Sequence, residues 1–130
     1  MKLLTLNFIT PEKKESYKAK FISLEDKVGS LGIYPNHERY ITVLNRSIGY
    51  FIDENESKNF FAYDYGILKV ENNSVSIITR IFLKGNSVES LKEELEKKSS
   101  RIDIYEKQLR ENIKILERTI LKNIVEIERS

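Results

Sequence analysis

The chain's one histidine, His37, closes the segment Val28-Gly29-Ser30-Leu31-Gly32-Ile33-Tyr34-Pro35-Asn36, which holds two of the five glycines and one of the two prolines. Three kinds of chemistry could be sought there. An imidazole beside Glu38 could act as a general base, but the sequence places no nucleophile for it to activate. A zinc ion would find no second histidine and, with no cysteine in the chain, only carboxylates to complete its shell. Gly29-x-x-Gly32 has the outline of a phosphate loop, yet it lacks the Gly-Lys-Ser/Thr that grips β- and γ-phosphates, and no helix follows to offer its N-terminus. The segment reads instead as a strand with a bulge and a proline corner closing a sandwich, with His37 structural. No catalytic residue, cofactor or metal site is expected.

The elements around that loop follow from where the punctuating residues fall. All five glycines and both prolines precede residue 86, and Tyr105 is the single aromatic beyond it. Glycine and proline mark turns, while aromatic and β-branched residues fill strands. Residues 1–85 therefore read as an all-β sandwich head, and residues 86–130 as an α-helical tail. Strands are expected at Leu3–Ile9, Tyr17–Leu24, Val28–Tyr34, Tyr40–Asn45, Ile48–Asp53, Lys58–Tyr63, Gly66–Glu71 and Ser74–Leu83. Short strands at such intervals, with polar turns between, indicate an antiparallel sandwich or barrel. Asn72-Asn73 suits a tight hairpin, because asparagine tolerates positive φ. No internal repeat is apparent.

At Lys84-Gly85-Asn86-Ser87 the regime changes. Asn86 or Ser87 can cap a helix, and Glu89 stands three after Asn86, as a capping box requires. Apolar residues then recur at Val88, Leu91, Leu95, Ile102, Tyr105, Leu109, Ile113, Leu116, Ile120, Ile124 and Ile127, in threes and fours from Ile102 onward. The seam lapses at Glu96–Arg101, so the tail is either a helical hairpin or one long helix, with Ser99-Ser100 favouring a turn. An unbroken helix would reach about 65 Å. The head alone cannot cover the apolar seam of its distal half, Leu109, Ile113, Leu116, Ile120, Ile124 and Ile127. Each such side chain left in water forfeits about 1.5 kcal/mol or more, so a further surface should cover them. Lys107, Arg110, Lys114, Arg118 and Lys122 line the opposite side. They form either a basic stripe for an acidic partner or a solvated face held by pairs such as Asp103–Lys107 and Glu106–Arg110.

The totals exclude several classes. The chain has 130 residues and a net charge of +2, from 22 Lys and Arg against 20 Asp and Glu. Neither half carries the concentrated positive field that nucleic-acid binding needs. The opening Met1–Ile9 is too short for a signal h-region with its cleavage site. No apolar run approaches the roughly 20 residues that span a bilayer, so membrane association is expected only through a partner. The lack of cysteine fits a reducing compartment.

Three stretches in order carry a family resemblance. Thr10-Pro11-Glu12-Lys13, then Gly29-x-Leu31-Gly32-Ile33-Tyr34-Pro35-x-His37, then Phe60-Phe61-Ala62-x-x-x-Gly66-Ile67-Leu68-x-Val70 resemble the epsilon subunit of F-type ATP synthases. The likeness runs over about residues 3–84, and Leu31–His37 is its most specific part. It implies a noncatalytic central-stalk subunit that couples ion translocation to ATP synthesis or hydrolysis. The head would sit on the rotor against the gamma subunit and the c ring, at the cytoplasmic face of the cell membrane. Gly29, Ser30, Leu31, Gly32 and His37 would lie in the loop region facing the ring. The tail could extend along gamma to the catalytic beta subunits, where Lys107, Arg110, Lys114, Arg118 and Lys122 would meet acidic loops and restrain hydrolysis. Some departures matter. Pro35-Asn36-His37-Glu38-Arg39 replaces a frequent Pro-Gly-His-Ala-Pro, and Tyr65-Gly66 replaces a glycine pair. The stretch Gly85–Leu91 lacks the Asp, Arg and Ala with which some relatives bind ATP, so no ATP binding is expected. Leu116-Glu117-Arg118 and Ile127-Glu128-Arg129 look more like the alternate N-ATPase branch. The rival reading from another class is an autonomous β-sandwich adaptor that dimerises through a coiled-coil tail.

Overall fold

The computed structural model describes residues 2–129. Nine strands precede one helix: β1 (Leu4–Ile9), β2 (Lys14–Glu25), β3 (Ser30–Ile33), β4 (Tyr40–Leu44), β5 (Ser47–Asp53), β6 (Lys58–Tyr63), β7 (Gly66–Glu71), β8 (Ser74–Thr79), β9 (Phe82–Gly85) and α1 (Val88–Arg129). The all-β sandwich followed by a helical tail is what the composition break at residue 86 called for. The chain divides into two compact units, Met1–Lys97 and Lys98–Ser130, so the first turns of α1 belong with the strands.

The strands follow the order β4-β7-β8-β1-β2-β5-β6-β9, with β3 pairing β2. Pairing is antiparallel except for β1 with β8. The twelve-residue β2 turns the corner of the sandwich. Its first half pairs β1 from Lys14 to Ala19, and its second half pairs β5 and β3. The register shifts between Ala19 and Phe21, a bulge of the kind that bends a strand from one layer into the next.

Alternation in the sequence decides which side chains fill the space between layers. Leu4, Leu6 and Phe8 of β1 are buried, with Ile22 and Leu24 of β2, Phe51 of β5, Leu68 and Val70 of β7, and Val75 and Ile77 of β8. Phe8 is the hub, stacked on Phe82 at 4.1 Å between ring centroids and 5.0 Å from Phe61. Gly66 permits the closest backbone approach: a β-carbon there would lie 1.8 Å from the Ile78 carbonyl oxygen. Asn72 and Asn73 take φ of 50° and 62°, the left-handed pair of a tight hairpin.

One expectation needs correction, and two alternatives left open by the sequence are decided. The run Ser74–Leu83 is two strands, not one. Thr79 Oγ1 accepts from the Asp64 amide at 3.0 Å and donates to the Ile81 carbonyl at 3.2 Å. That break lets the chain leave β7 and β1 and join β6 as β9. Of the two candidate caps, Ser87 is the one used: its Oγ accepts from the Ser90 amide at 3.3 Å, and its carbonyl from the Leu91 amide at 3.1 Å. Glu89 then stands in the first turn, where the helix dipole favours an acid. Finally, Ser99-Ser100 is helical, and α1 is a single helix of 42 residues. Glu96–Arg101 holds no glycine or proline, and its Glu, Lys and Arg are good helix formers.

Within the first unit, Leu91 and Leu95 of α1 are buried. Gly85 makes room for Leu91, whose Cδ2 would stand 3.2 Å from an added β-carbon.

Candidate functional site

The glycine-containing loop owes its shape to Asp26. One carboxylate oxygen accepts the Val28 and Gly29 amides at 2.8 and 3.0 Å, and the other accepts the Tyr40 and Thr42 hydroxyls at 3.0 and 3.1 Å. Burial alone would raise this carboxyl. The two backbone amides and then the two hydroxyls outweigh it and hold the group below the usual carboxylate range. The Asp26 amide also donates to the Gly29 carbonyl at 2.9 Å, and the Lys27 amide to the Val43 carbonyl at 3.1 Å. Gly29 has φ of 154°, a conformation side chains disfavour, and Val28 beside it is 91% exposed.

His37 is held elsewhere. Its Nδ1 lies 2.7 Å from the Glu38 carbonyl, and its ring meets the edge of Tyr40. The neighbouring Asn36 amide donates to Asn73 Oδ1 at 2.6 Å. The loop tip at Gly29 and the corner at His37 therefore lie beyond opposite ends of β3, whose 4 residues span about 13 Å. The Gly29 end adjoins Val43, and the His37 end adjoins the β7–β8 hairpin. Ser30, Leu31 and Gly32 lie along β3, paired with Glu25, Leu24 and Ser23. Among the described residues, no group of three or more acidic, histidine or cysteine side chains is placed to hold a metal ion.

A surface that sequence reasoning missed lies on the outer face of the β4-β7-β8 layer. Val43 pairs with Ile67, Ile67 with Ile78, and Ile78 with Ile9, so one row of β-branched side chains crosses four strands. Val43, Ile67 and Ile78 are 54, 47 and 49% exposed, and Ile41 and Tyr65 extend the patch. Tyr65 is steadied by the Arg80 guanidinium, 5.4 Å from its ring centre. Arg80 in turn grips the fully buried Asp64 through Nε and Nη2, at 2.8 and 2.5 Å. The signal was present: Ile67-Leu68 and Ile77-Ile78 put apolar side chains on both faces of their strands. Only the register shows that the outward ones align.

In the second unit, all six seam residues from Leu109 to Ile127 are exposed, from 46% at Leu109 and Ile124 to 72% at Ile127. At about 100° per residue they occupy a sector about 80° wide. Lys107, Arg110, Lys114, Arg118 and Lys122 are exposed and occupy a sector about 120° wide on the other side. Ile104, Leu121 and Val125 are exposed within that sector, and Ile115 is exposed just beyond its edge. The basic face is thus interleaved with large apolar side chains.

Described residues contain no helix long and apolar enough to cross a membrane. Fold and surface together define the class, a nine-stranded β-sandwich module with a C-terminal helix and outward apolar rows on both. Within that class the chain belongs to the ATP synthase delta/epsilon chain family, whose β-sandwich domain matches residues 3–85. An ATP synthase epsilon chain of Clostridium botulinum is 41% identical over 76 residues, which are 58% of this chain and 57% of that one. ATP synthase epsilon chain 2 of Paraburkholderia xenovorans is 33% identical over 78 residues, 59% of this chain and 56% of its own. The chain thus aligns with little more than half the length of these relatives. Among solved structures, a chain of the Euglena gracilis mitochondrial ATP synthase, from a cryo-EM structure of OSCP, F1 and c-ring, superposes with a TM-score of 0.61 at 18% identity. That match covers 75% of this chain and 64% of the other. A chain from the central stalk and c-ring of the Tetrahymena thermophila enzyme superposes at 0.52 and 15% identity, over 80% and 94%. At such identities the likeness is one of fold.

Proposed function

We propose that the chain is an epsilon-type central-stalk subunit of an F-type ATP synthase, a noncatalytic part of the rotor that joins the gamma subunit to the c ring. What carries this reading is the outward row Val43–Ile67–Ile78 on the sandwich matched to the family. A water-facing sheet normally alternates apolar-in and polar-out, so a continuous β-branched row outside calls for a covering neighbour. Gamma covers this face in the proposed assembly. The turn at Gly29, held by the Asp26 carboxylate, with Ser30, Leu31 and Gly32 of β3 and His37, contributes to the contact with the c ring. The complex lies at the cytoplasmic face of the cell membrane, where this chain is peripheral.

The seam Leu109–Ile127 docks on a further helix of the rotor. The basic stripe, with apolar side chains set among its cations, meets an acidic surface of the catalytic beta subunits and restrains hydrolysis. The subunit contributes binding energy and torque transmission and no bond-making step. Co-expression of the full chain with the gamma subunit and c subunit of the same organism tests the reading. Recovery of all three in one complex is expected. A chain that never co-purifies with gamma overturns it.

A further inference from the structure

The proline corner beyond β3 and the β7–β8 hairpin enclose a polar cavity of about 480 Å³. Asn36, His37 and Arg39 line one wall, Glu71 and Asn73 the other, and Lys2 reaches in from the start of the chain. Three hydrogen bonds fix these walls. The Asn36 amide donates to Asn73 Oδ1 at 2.6 Å, the Thr5 amide to the Asn73 carbonyl at 2.8 Å, and Lys2 Nζ to Asn36 Oδ1 at 3.3 Å. Asn36 and Asn73 both take left-handed backbone, with φ of 68° and 62°, so each wall is a tight turn.

Those bonds use up acceptors and leave donors. Asn36 and Asn73 each accept through Oδ1, which leaves their Nδ2 groups to donate. Lys2 keeps the rest of its ammonium hydrogens, and Arg39 brings the planar fork of a guanidinium. Neither cation makes an ion pair among the described residues, whereas Lys13, Lys20, Lys69 and Arg80 all do. His37 Nδ1 donates to the Glu38 carbonyl, so Nε2 is the ring nitrogen left for a ligand. Glu71 is the one acid of the lining, and Lys69 Nζ stands 3.3 Å from its carboxylate.

Unpaired cations and oriented amide donors, drawn from three separate segments, suit an oxyanion. A carboxylate presents two oxygens in one plane. A phosphate presents three or four in a tetrahedron, so it can take the Arg39 fork on one edge and still meet Lys2 and an asparagine amide on another.

We propose that this cavity binds a phosphate group, with Arg39 and Lys2 supplying charge and the Asn36 and Asn73 amides fixing its orientation. The phosphate is either free in solution or the headgroup of a phospholipid, whose substituent the cavity has room to admit. The test is an amide chemical-shift titration of the full chain with inorganic phosphate, at fixed pH and ionic strength. Saturating shifts centred on Asn36–Arg39 and Asn72-Asn73 are expected, with acetate at least about tenfold weaker. Arg39→Gln, at an exposed position, should weaken phosphate about tenfold and leave the rest of the spectrum in place. Glu71→Gln should tighten it, because the opposing charge is gone. Cosedimentation with phosphatidylcholine vesicles carrying phosphatidic acid separates the two sources. Retention that free phosphate displaces assigns the headgroup, and any other vesicle result assigns free phosphate. Shifts that fail to saturate with phosphate overturn the proposal, as does acetate binding equally well. Phosphate affinity unchanged by Arg39→Gln overturns it too. None of these outcomes bears on whether gamma binds.

Discussion

Asp64, with no exposed surface, receives both the Nε and Nη2 hydrogen bonds of Arg80, which is itself about a quarter exposed and stands over Tyr65. The pair ties the β6–β7 turn to the break between β8 and β9, at the edge of the outward apolar row. A buried carboxylate stripped of its guanidinium is costly, so Arg80→Leu should lower stability by about 3 kcal/mol. Urea unfolding of the full chain measures this. Arg80→Lys, which keeps the charge but not the two-pronged geometry, should fall between the two.

Asp26 should make the fold acid-sensitive. Its folded value lies below the ordinary 3.8, so its contribution is fully present above that pH and is lost as pH falls through the folded value. Asp26→Asn keeps an acceptor for the Val28 and Gly29 amides but cannot accept both hydroxyls on its other side. It should cost about 2 kcal/mol at neutral pH and flatten the acid limb of the stability curve. An unchanged acid limb would remove Asp26 as the loop's anchor.

Tyr63 predicts the opposite limb. Its phenol is fully buried, accepts the Glu25 amide at 2.7 Å and donates to the Glu25 carbonyl at 2.8 Å. Burial pushes it up to about 12 from an ordinary 10.0. The contribution is therefore complete below pH 10 and is lost as pH rises towards about 12. Tyr63→Phe should cost about 1–3 kcal/mol at neutral pH by orphaning the Glu25 amide. Alkaline unfolding of the variant should show less dependence on pH in that window.

The basic stripe gives a functional readout. Replacing Lys107, Arg110, Lys114, Arg118 and Lys122 by glutamine in a reconstituted complex should raise ATPase activity. Equal activity would return the stripe to a solvated face.

How far the sequence carries the reader varies by element. Lys58–Tyr63 and Gly66–Glu71 are legible to the residue because polar turns bound them on both sides. Ser74–Leu83 is not, because Thr79-Arg80-Ile81 has the composition of a strand and only the exchange of partners breaks it. The helix is evident from Val88, but its continuity is not, since serines are neutral between turn and helix. Asp26 escaped notice because Tyr40 and Thr42, which fix its role, lie 14 and 16 residues away. The row Val43–Ile67–Ile78 needs the register of three strands before it exists.

The central claim is that this row is a docking surface. The most direct measurement is the affinity of the full chain for the purified gamma subunit, for wild type and for Ile67→Asp, whose fold is checked by circular dichroism. A carboxylate in the middle of a covered apolar row should weaken binding at least about tenfold, or 1.4 kcal/mol. Equal affinity of the two proteins would show that gamma does not cover this face and would contradict the account.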